Sequence, residues 1–202
     1  MSTVVFGTSY LGSLEYYSVL VKNKNVVIDQ YEWFVKQSIR NRCVISAPNG
    51  IQKLVVPYSH FGAEKIRVKE LKINYSEAWH KYQLKCLNTA YNSSPFFEFY
   101  KDKLSTILLG EPTYLIDLNM QIITFVLNAL QLDISVALSD NYLESCDEDY
   151  RMLSEVKDNS IKQSNYTPKE YPQVYSHKHG FISNLSIIDL LSNQGPNAVS
   201  YL

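Results

Sequence analysis

The segment from Tyr31 to Pro57, YEWFVKQSIRNRCVISAPNGIQKLVVP, concentrates side chains able to do chemistry. Arginine forks bind carboxylates and phosphates through paired hydrogen bonds, and an intervening amide adds neutral ones. If Arg40-Asn41-Arg42 is extended, the two guanidinium groups face the same side. With Glu32, Lys36 and Gln37 close by, the run reads as an anion clamp for a phosphate, nucleotide or carboxylate. The competing reading is a pair of arginines neutralised by surface acids. His179, in His177-Lys178-His179-Gly180, is a candidate general base, and Glu32 is a second group able to move a proton.

Other constellations carry less. His177 and His179 are spaced like strand-mates, but no helical histidine pair accompanies them, so no metal site is expected. His60 and His80 stand in polar contexts and are expected to face solvent. Tyr91 and Asn92 open a run of hydroxyls and amides, Tyr91-Asn92-Ser93-Ser94-Pro95, which could contact substrate or simply end a helix. Cys43 and Cys86 lie in apolar periodic runs, where burial is the expected fate. The phosphate-binding loop, the dinucleotide fingerprint and the hydrolase nucleophile elbow are all missing. No cofactor is indicated.

Strand-like and helical patterns supply the frame for these groups. Thr3 to Phe6 reads as a strand, Leu11 to Val21 as a short helix, and Val26 to Ile28 as a second strand. Such a unit opens an α/β fold, whose ligands sit beyond the carboxyl ends of parallel strands. Those ends would carry Thr8-Ser9-Tyr10, which makes Tyr10 a candidate contact, and Asp29-Gln30-Tyr31. Pro48-Asn49-Gly50 predicts a hairpin spanning residues 43–57. Ile66 to Tyr75 alternates like a half-exposed strand. A helical middle section follows, over residues 77–91 (with Ser76 as cap), 96–109 and 115–132, and then a buried strand over 134–138. Residues 140–172 form a long, weakly structured polar excursion, read as a lid or a surface excursion, with an ordered active-site excursion favoured because patterned sequence resumes after it. Tyr171 to Tyr175 is strand-like. Ile187 to Leu191 suits a last short helix, with Asn184 and Ser186 as capping residues and Asn193-Gln194-Gly195-Pro196 as its stop.

Length and composition bound the rest. A chain of 202 residues with 46% apolar and 19% charged content fits one α/β domain spanning 1–202. The net charge of −1 offers no global field for nucleic acid, and no run is long enough for membrane insertion. Three widely spaced cysteines do not suggest a disulfide framework. The opening MSTVVFGTSY has no basic leader, so a cytoplasmic location is expected. Sixteen tyrosines suit half-buried walls and polar-ligand pockets.

Several segments together resemble the WbqC-like family, especially its Bacteroidetes-type members: YEWFVKQSIRNRCVISAPNG, LVVP, TAYNSSPFFEFY, HGFISNLSIIDLL and NQGP, in the family's order. Lys36, Gln37, Arg40, Asn41, Arg42 and His179 match the family's pattern. The chain departs from it at Gly7-Thr8-Ser9-Tyr10, where relatives open with Gln-Pro-x-Tyr and only the tyrosine is kept, and at Gln83, near where relatives place a histidine. The resemblance implies work among surface-polysaccharide and O-antigen genes. The expectation is therefore a transferase-like enzyme taking an anionic sugar-nucleotide or acyl-activated substrate. In that reading Arg40 and Arg42 bind the anion, Lys36, Gln37 and Asn41 orient it, and His179 or Glu32 moves a proton. The rival is a non-catalytic binding or assembly protein, or an obligate homo-oligomer with a tyrosine-rich interface.

Overall fold

In the computed structural model, residues 4–59, 65–144, 146–155 and 166–202 are described. The chain opens with the expected strand–helix–strand unit. β1 (Val4–Phe6) is wholly buried, as its β-branched and aromatic residues suggest. α1 (Leu14–Leu20) starts later than the apolar stripe implies. Leu11 sits at φ 45°, a left-handed conformation no helix can include, and the Ser13 hydroxyl caps the helix by accepting from the Tyr16 amide. β2 (Asn25–Ile28) then runs parallel to β1, with Val4 opposite Val26 and Phe6 opposite Ile28.

β3 (Arg42–Ala47) and β4 (Gly50–Val55) form the expected hairpin, from Arg42 opposite Val55 to Ala47 opposite Gly50. Gly50 takes φ 108°, which suits glycine at this turn. The predicted strand over 66–75 is broken instead. β5 (Tyr58–Ser59) pairs with β6 (Lys72–Ile73), Arg67 makes an isolated antiparallel bridge to Trp33, and Val68–Glu70 forms a 3-10 turn between Arg67 and β6. The turn's amides explain the break: Val68 N donates to Glu32 O and Lys69 N to Gln30 O, so the backbone serves the loop after β2 rather than a sheet.

α2 (Trp79–Tyr91), α3 (Phe97–Leu109) and α4 (Leu115–Ala129) form the helical middle section. Ser76 does not cap α2; Ala78 occupies that position, and the Ser76 amide donates to Asn74 Oδ1 in a local turn. β7 (Ser135–Leu138) pairs parallel with β2, but at the sheet's edge, so it is half-exposed rather than buried. β8 (Glu148–Asp149) lies inside the polar excursion and pairs parallel with β1, completing the order β7-β2-β1-β8. A 3-10 turn, Arg151–Glu155, follows it.

Tyr171 to Tyr175 is not a strand: the Tyr171 hydroxyl and the Gln173 amide instead bond the buried Asp189 carboxylate. α5 (Ser176–His179) is one short turn, and α6 (Ile187–Gln194) is capped by Ser186 and ended by Gly195 at φ 55°. Asn184 does not cap α6; its Oδ1 accepts from the Glu15 amide and ties the segment to α1. One continuous apolar core joins the sheet, the hairpin and α1 to α4 and α6, so the chain is a single α/β domain.

Candidate functional site

Because the four sheet strands are parallel, their carboxyl ends meet along one edge. Asp29, immediately after β2, is fully buried there. Its Oδ1 accepts from the Tyr31 amide at 2.9 Å and the Ser139 hydroxyl at 3.2 Å, and its Oδ2 accepts from Arg151 Nη1 at 2.7 Å. Arg151 also grips Asp149 through Nε and Nη2 and donates to the Leu143 carbonyl. Gln30 reaches the Ser139 carbonyl at 2.7 Å. The ends of β2, β7 and β8 are thereby tied together by charge-assisted bonds. Hydrogen bonds from Arg151 hold the Asp149 carboxyl below the usual carboxylate range.

A cleft of about 480 Å³ opens at this edge. Its carboxylates are Glu32, Asp149 and Glu155, its guanidinium is Arg151, its aromatic walls are Trp33 and Tyr142, and Val35 and Met152 add apolar surface. Glu32 is its most deeply set acid, 6% exposed. Burial pushes the Glu32 carboxyl up, opposed by hydrogen bonds from Arg40. Arg40 Nε donates to Glu32 Oε1 at 2.8 Å and Nη2 to Oε2 at 2.6 Å. The Arg40 carbonyl in turn accepts from Asn119 Nδ2, which also donates to Thr8 Oγ1, so α4 and the end of β1 brace the pair. Gly7 leaves room for it: a Cβ there would meet Glu32 Oε1 and Ser154 Oγ at 2.8 Å each.

At the rim, the Arg67 guanidinium lies 3.7 Å over the Trp33 ring and 5.5 Å from the Tyr142 ring, and donates to the Tyr31 carbonyl. Arg151 approaches Tyr142 at 5.3 Å. These contacts form an alternating array of rings and guanidinium groups.

Of the residues expected from sequence to act, Glu32 alone lines the cleft, with Arg40 directly behind it. Arg40 is 1% exposed and faces Glu32 rather than open solvent. The reason is local: β3 begins only at Arg42, and Gln37 at φ 61° turns the chain before it, so Arg40 and Arg42 are not mates on one extended face. Arg42 is half-buried at the base of the hairpin, where burial lowers its pKa. Asn41 donates to the Val56 carbonyl at 2.9 Å, while Lys36 and Gln37 are exposed.

Tyr10 is buried, with its hydroxyl on Gln83 Oε1 at 2.6 Å, and burial pushes its pKa up. Tyr91 is buried in the core, whereas Asn92 is exposed at the end of α2. His179 stands at the turn end of the hairpin, its Nε2 3.2 Å from the Pro48 carbonyl. The length of β3, roughly 17 Å at about 3.3 Å per residue, separates that turn from the Arg42 end, so His179 does not join Arg40 and Arg42 on one concave surface.

His177 and His179 are not strand-mates, because residues 176–179 are helical. His80 does not face solvent: it is 3% exposed, beside the Tyr75 and Trp79 rings, with Nε2 3.2 Å from Glu111 Oε1. His60 lies outside the described residues. Cys43 and Cys86 are buried, as expected. Among the described residues, no group of histidine, cysteine and carboxylate side chains could hold a metal ion, and no helix is long and apolar enough to cross a membrane.

Sequence reasoning does not single out Trp33, Arg67, Tyr142, Asp149 and Arg151 as site residues. The available signal is the Asp147-Glu148-Asp149-Tyr150-Arg151 run, whose charge density exceeds what a plain surface loop needs. The described part of the excursion, through Tyr142, Asp149, Arg151, Met152 and Glu155, supplies much of the cleft wall.

No curated protein and no solved structure matches the chain. The model of the WbqC-like protein family matches residues 8–160 and 154–201, so the chain belongs to the WbqC-like protein family.

Proposed function

We propose that this WbqC-like protein is a transferase-type enzyme acting on an anionic, activated small molecule in surface polysaccharide or glycoconjugate biosynthesis. The activated donor is a sugar nucleotide or an acyl-activated compound. The observation that carries this reading is Glu32: a buried carboxyl with a raised pKa, fixed by two bonds from Arg40, in a cleft at the carboxyl edge of a parallel sheet. A carboxylate so placed suits a general base. Glu32 takes the proton from an acceptor hydroxyl or amine as that atom bonds to the donor's transferred group. The leaving group departs with the electron pair of the broken bond. In this reading Arg40 is a positioning residue that holds the carboxylate plane, and Arg67 and Arg151 supply positive charge at the rim and wall.

Thermal shift with nucleotides, sugar nucleotides and acyl thioesters tests the cleft, because a ligand selective for the folded state raises the melting temperature by mass action. Glu32→Gln should keep that stabilisation and lower turnover by about a hundredfold or more. No shift with any of these compounds removes the ligand class. A wild type that binds a donor yet leaves it intact with hydroxyl and amine acceptors moves the protein to the non-catalytic reading. That rival draws on the site's internal pairing, since Arg151 already spends most of its donors on Asp29, Asp149 and the Leu143 carbonyl, and Arg40 commits Nε and Nη2 to Glu32.

A further inference from the structure

Three guanidinium groups stand in or around the cleft, and they are not equivalent. Arg40 has two nitrogens committed to Glu32, and Arg151 divides its donors among Asp29, Asp149 and the Leu143 carbonyl. Arg67 has no carboxylate partner among the described residues. It is only half-buried, fixed by one bond to the Tyr31 carbonyl and flattened against Trp33. A guanidinium has five N–H donors in a fixed fork, so most of Arg67's remain to be used. Lys69, on the 3-10 turn that follows Arg67, places a second cation 3.9 Å from the Tyr31 ring centroid. The rings beside Arg67 are open as well: Trp33 is 43% exposed and Tyr142 44%. Large aromatic side chains this exposed, held in place by a cation, form a surface for another flat ring.

We infer that this rim binds a nucleoside diphosphate, with the phosphates on Arg67 and the base against the open faces of Trp33 and Tyr142. A bare anion would leave the aromatic surface unused, and an uncharged ring would leave the Arg67 fork unused. A ligand with a flat heteroaromatic base joined to phosphates uses both. The inference rests on the reading of the cleft as a site for activated donors and narrows it: sugar nucleotides and nucleotide-bearing acyl carriers share this portion. The reactive end of such a donor then points inward, toward Glu32.

Calorimetry with the full chain tests this, using UDP, GDP, CDP, dTDP and ADP, with pyrophosphate, glucose 1-phosphate and the free nucleosides as comparison arms. At least one nucleoside diphosphate should bind about tenfold or more tightly than any comparison compound. Arg67→Ala should weaken it by about tenfold or more, and Arg67→Lys by less, with circular dichroism and melting temperature showing that both variants fold. Uridine and guanosine compounds binding best would favour a sugar donor, and adenosine compounds an acyl carrier. Trp33 is the exposed one of the chain's two tryptophans, Trp79 being 6% exposed. Ligand should therefore quench tryptophan emission in the wild type, and Trp33→Phe should abolish the quench. Equal binding of pyrophosphate or glucose 1-phosphate overturns the base platform, and undiminished binding in a folded Arg67→Ala overturns the phosphate anchor. If an activated donor still binds and turns over through Glu32 with no dependence on Arg67 or Trp33, this inference falls while the transferase reading stands.

Discussion

Arg40 and Glu32 form a closed, two-bonded fork in which neither side chain is more than 8% exposed. Coulomb attraction in so dry a setting is strong, but so is the cost of removing both ions from water. The pair is therefore better read as fixing an orientation than as a source of net stability. Removing one partner is the severe change, because it strands a buried charge. Arg40→Ala should cost about 3–5 kcal/mol in urea unfolding, and Arg40→Met/Glu32→Leu together much less than the sum of the two single losses. Additive losses in that cycle would mean the two ions do not act as a unit.

Gly7 makes the fork's neighbourhood possible. A methyl group there meets Glu32 Oε1 and Ser154 Oγ at 2.8 Å and Ser154 Cβ at 2.9 Å, all inside contact distance. Gly7→Ala should cost about 1–3 kcal/mol through overpacking and should also weaken any ligand that needs Glu32 in place. Thermal unfolding and ligand titration of the one variant check both effects. A fully stable Gly7→Ala that binds normally would show that Glu32 has slack this geometry does not suggest.

The parts legible in sequence are those with long, locally determined patterns. α4 shows this well: its apolar residues recur at helical spacing, and the helix buries that stripe. The hairpin is equally plain, because Asn-Gly chemistry acts over four residues. Arg40 reads from sequence as facing outward because nothing local signals that Glu32, eight residues earlier, folds back onto it. β8 is two charged residues whose strand character comes entirely from pairing with β1, a partner more than 140 residues away. The site follows the same rule. Its general position, beyond the carboxyl ends of the strands, comes from topology, whereas Arg67, Tyr142 and Arg151 reach it only through tertiary contacts.

Arg151 and Asp149 offer a contrast between two ends of one ion pair. Asp29 is fully buried and its one cationic partner among the described residues is Arg151, whereas the Asp149 side chain is 43% exposed. Arg151→Ala should cost about 3–5 kcal/mol by leaving the buried Asp29 side chain without its cationic partner, and should loosen β8 and the turn after it. Asp149→Ala should cost roughly 1 kcal/mol or less, since water replaces most of what is lost. Urea unfolding ranks the two, and hydrogen exchange at Tyr150, whose amide donates to the Val5 carbonyl, reports on β8. Equal costs would mean that Asp29 does not depend on Arg151.

Asp189 gives the clearest pH signature. It is fully buried on α6, and burial pushes its pKa from 3.8 up to about 6, against hydrogen bonds from Tyr171 and Gln173 that pull it down. A carboxyl raised in the folded state favours folding while it stays protonated. Well below about pH 4 both states hold the proton and Asp189 adds no penalty. From there to about pH 6 the unfolded chain ionises first, so stability falls, and above that the slope ends with the penalty in place. Asp189→Asn keeps an oxygen for Tyr171 and Gln173 and cannot ionise. Relative to this variant, the wild type should lose roughly 2 kcal/mol between pH 4 and pH 7, since each tenfold change in proton affinity is worth about 1.4 kcal/mol and part of the loss falls below pH 4. Urea unfolding of both proteins across that pH range measures the difference, in which other titrating groups cancel. Parallel stability profiles would place the Asp189 proton equilibrium at its ordinary value and remove the cost of its burial.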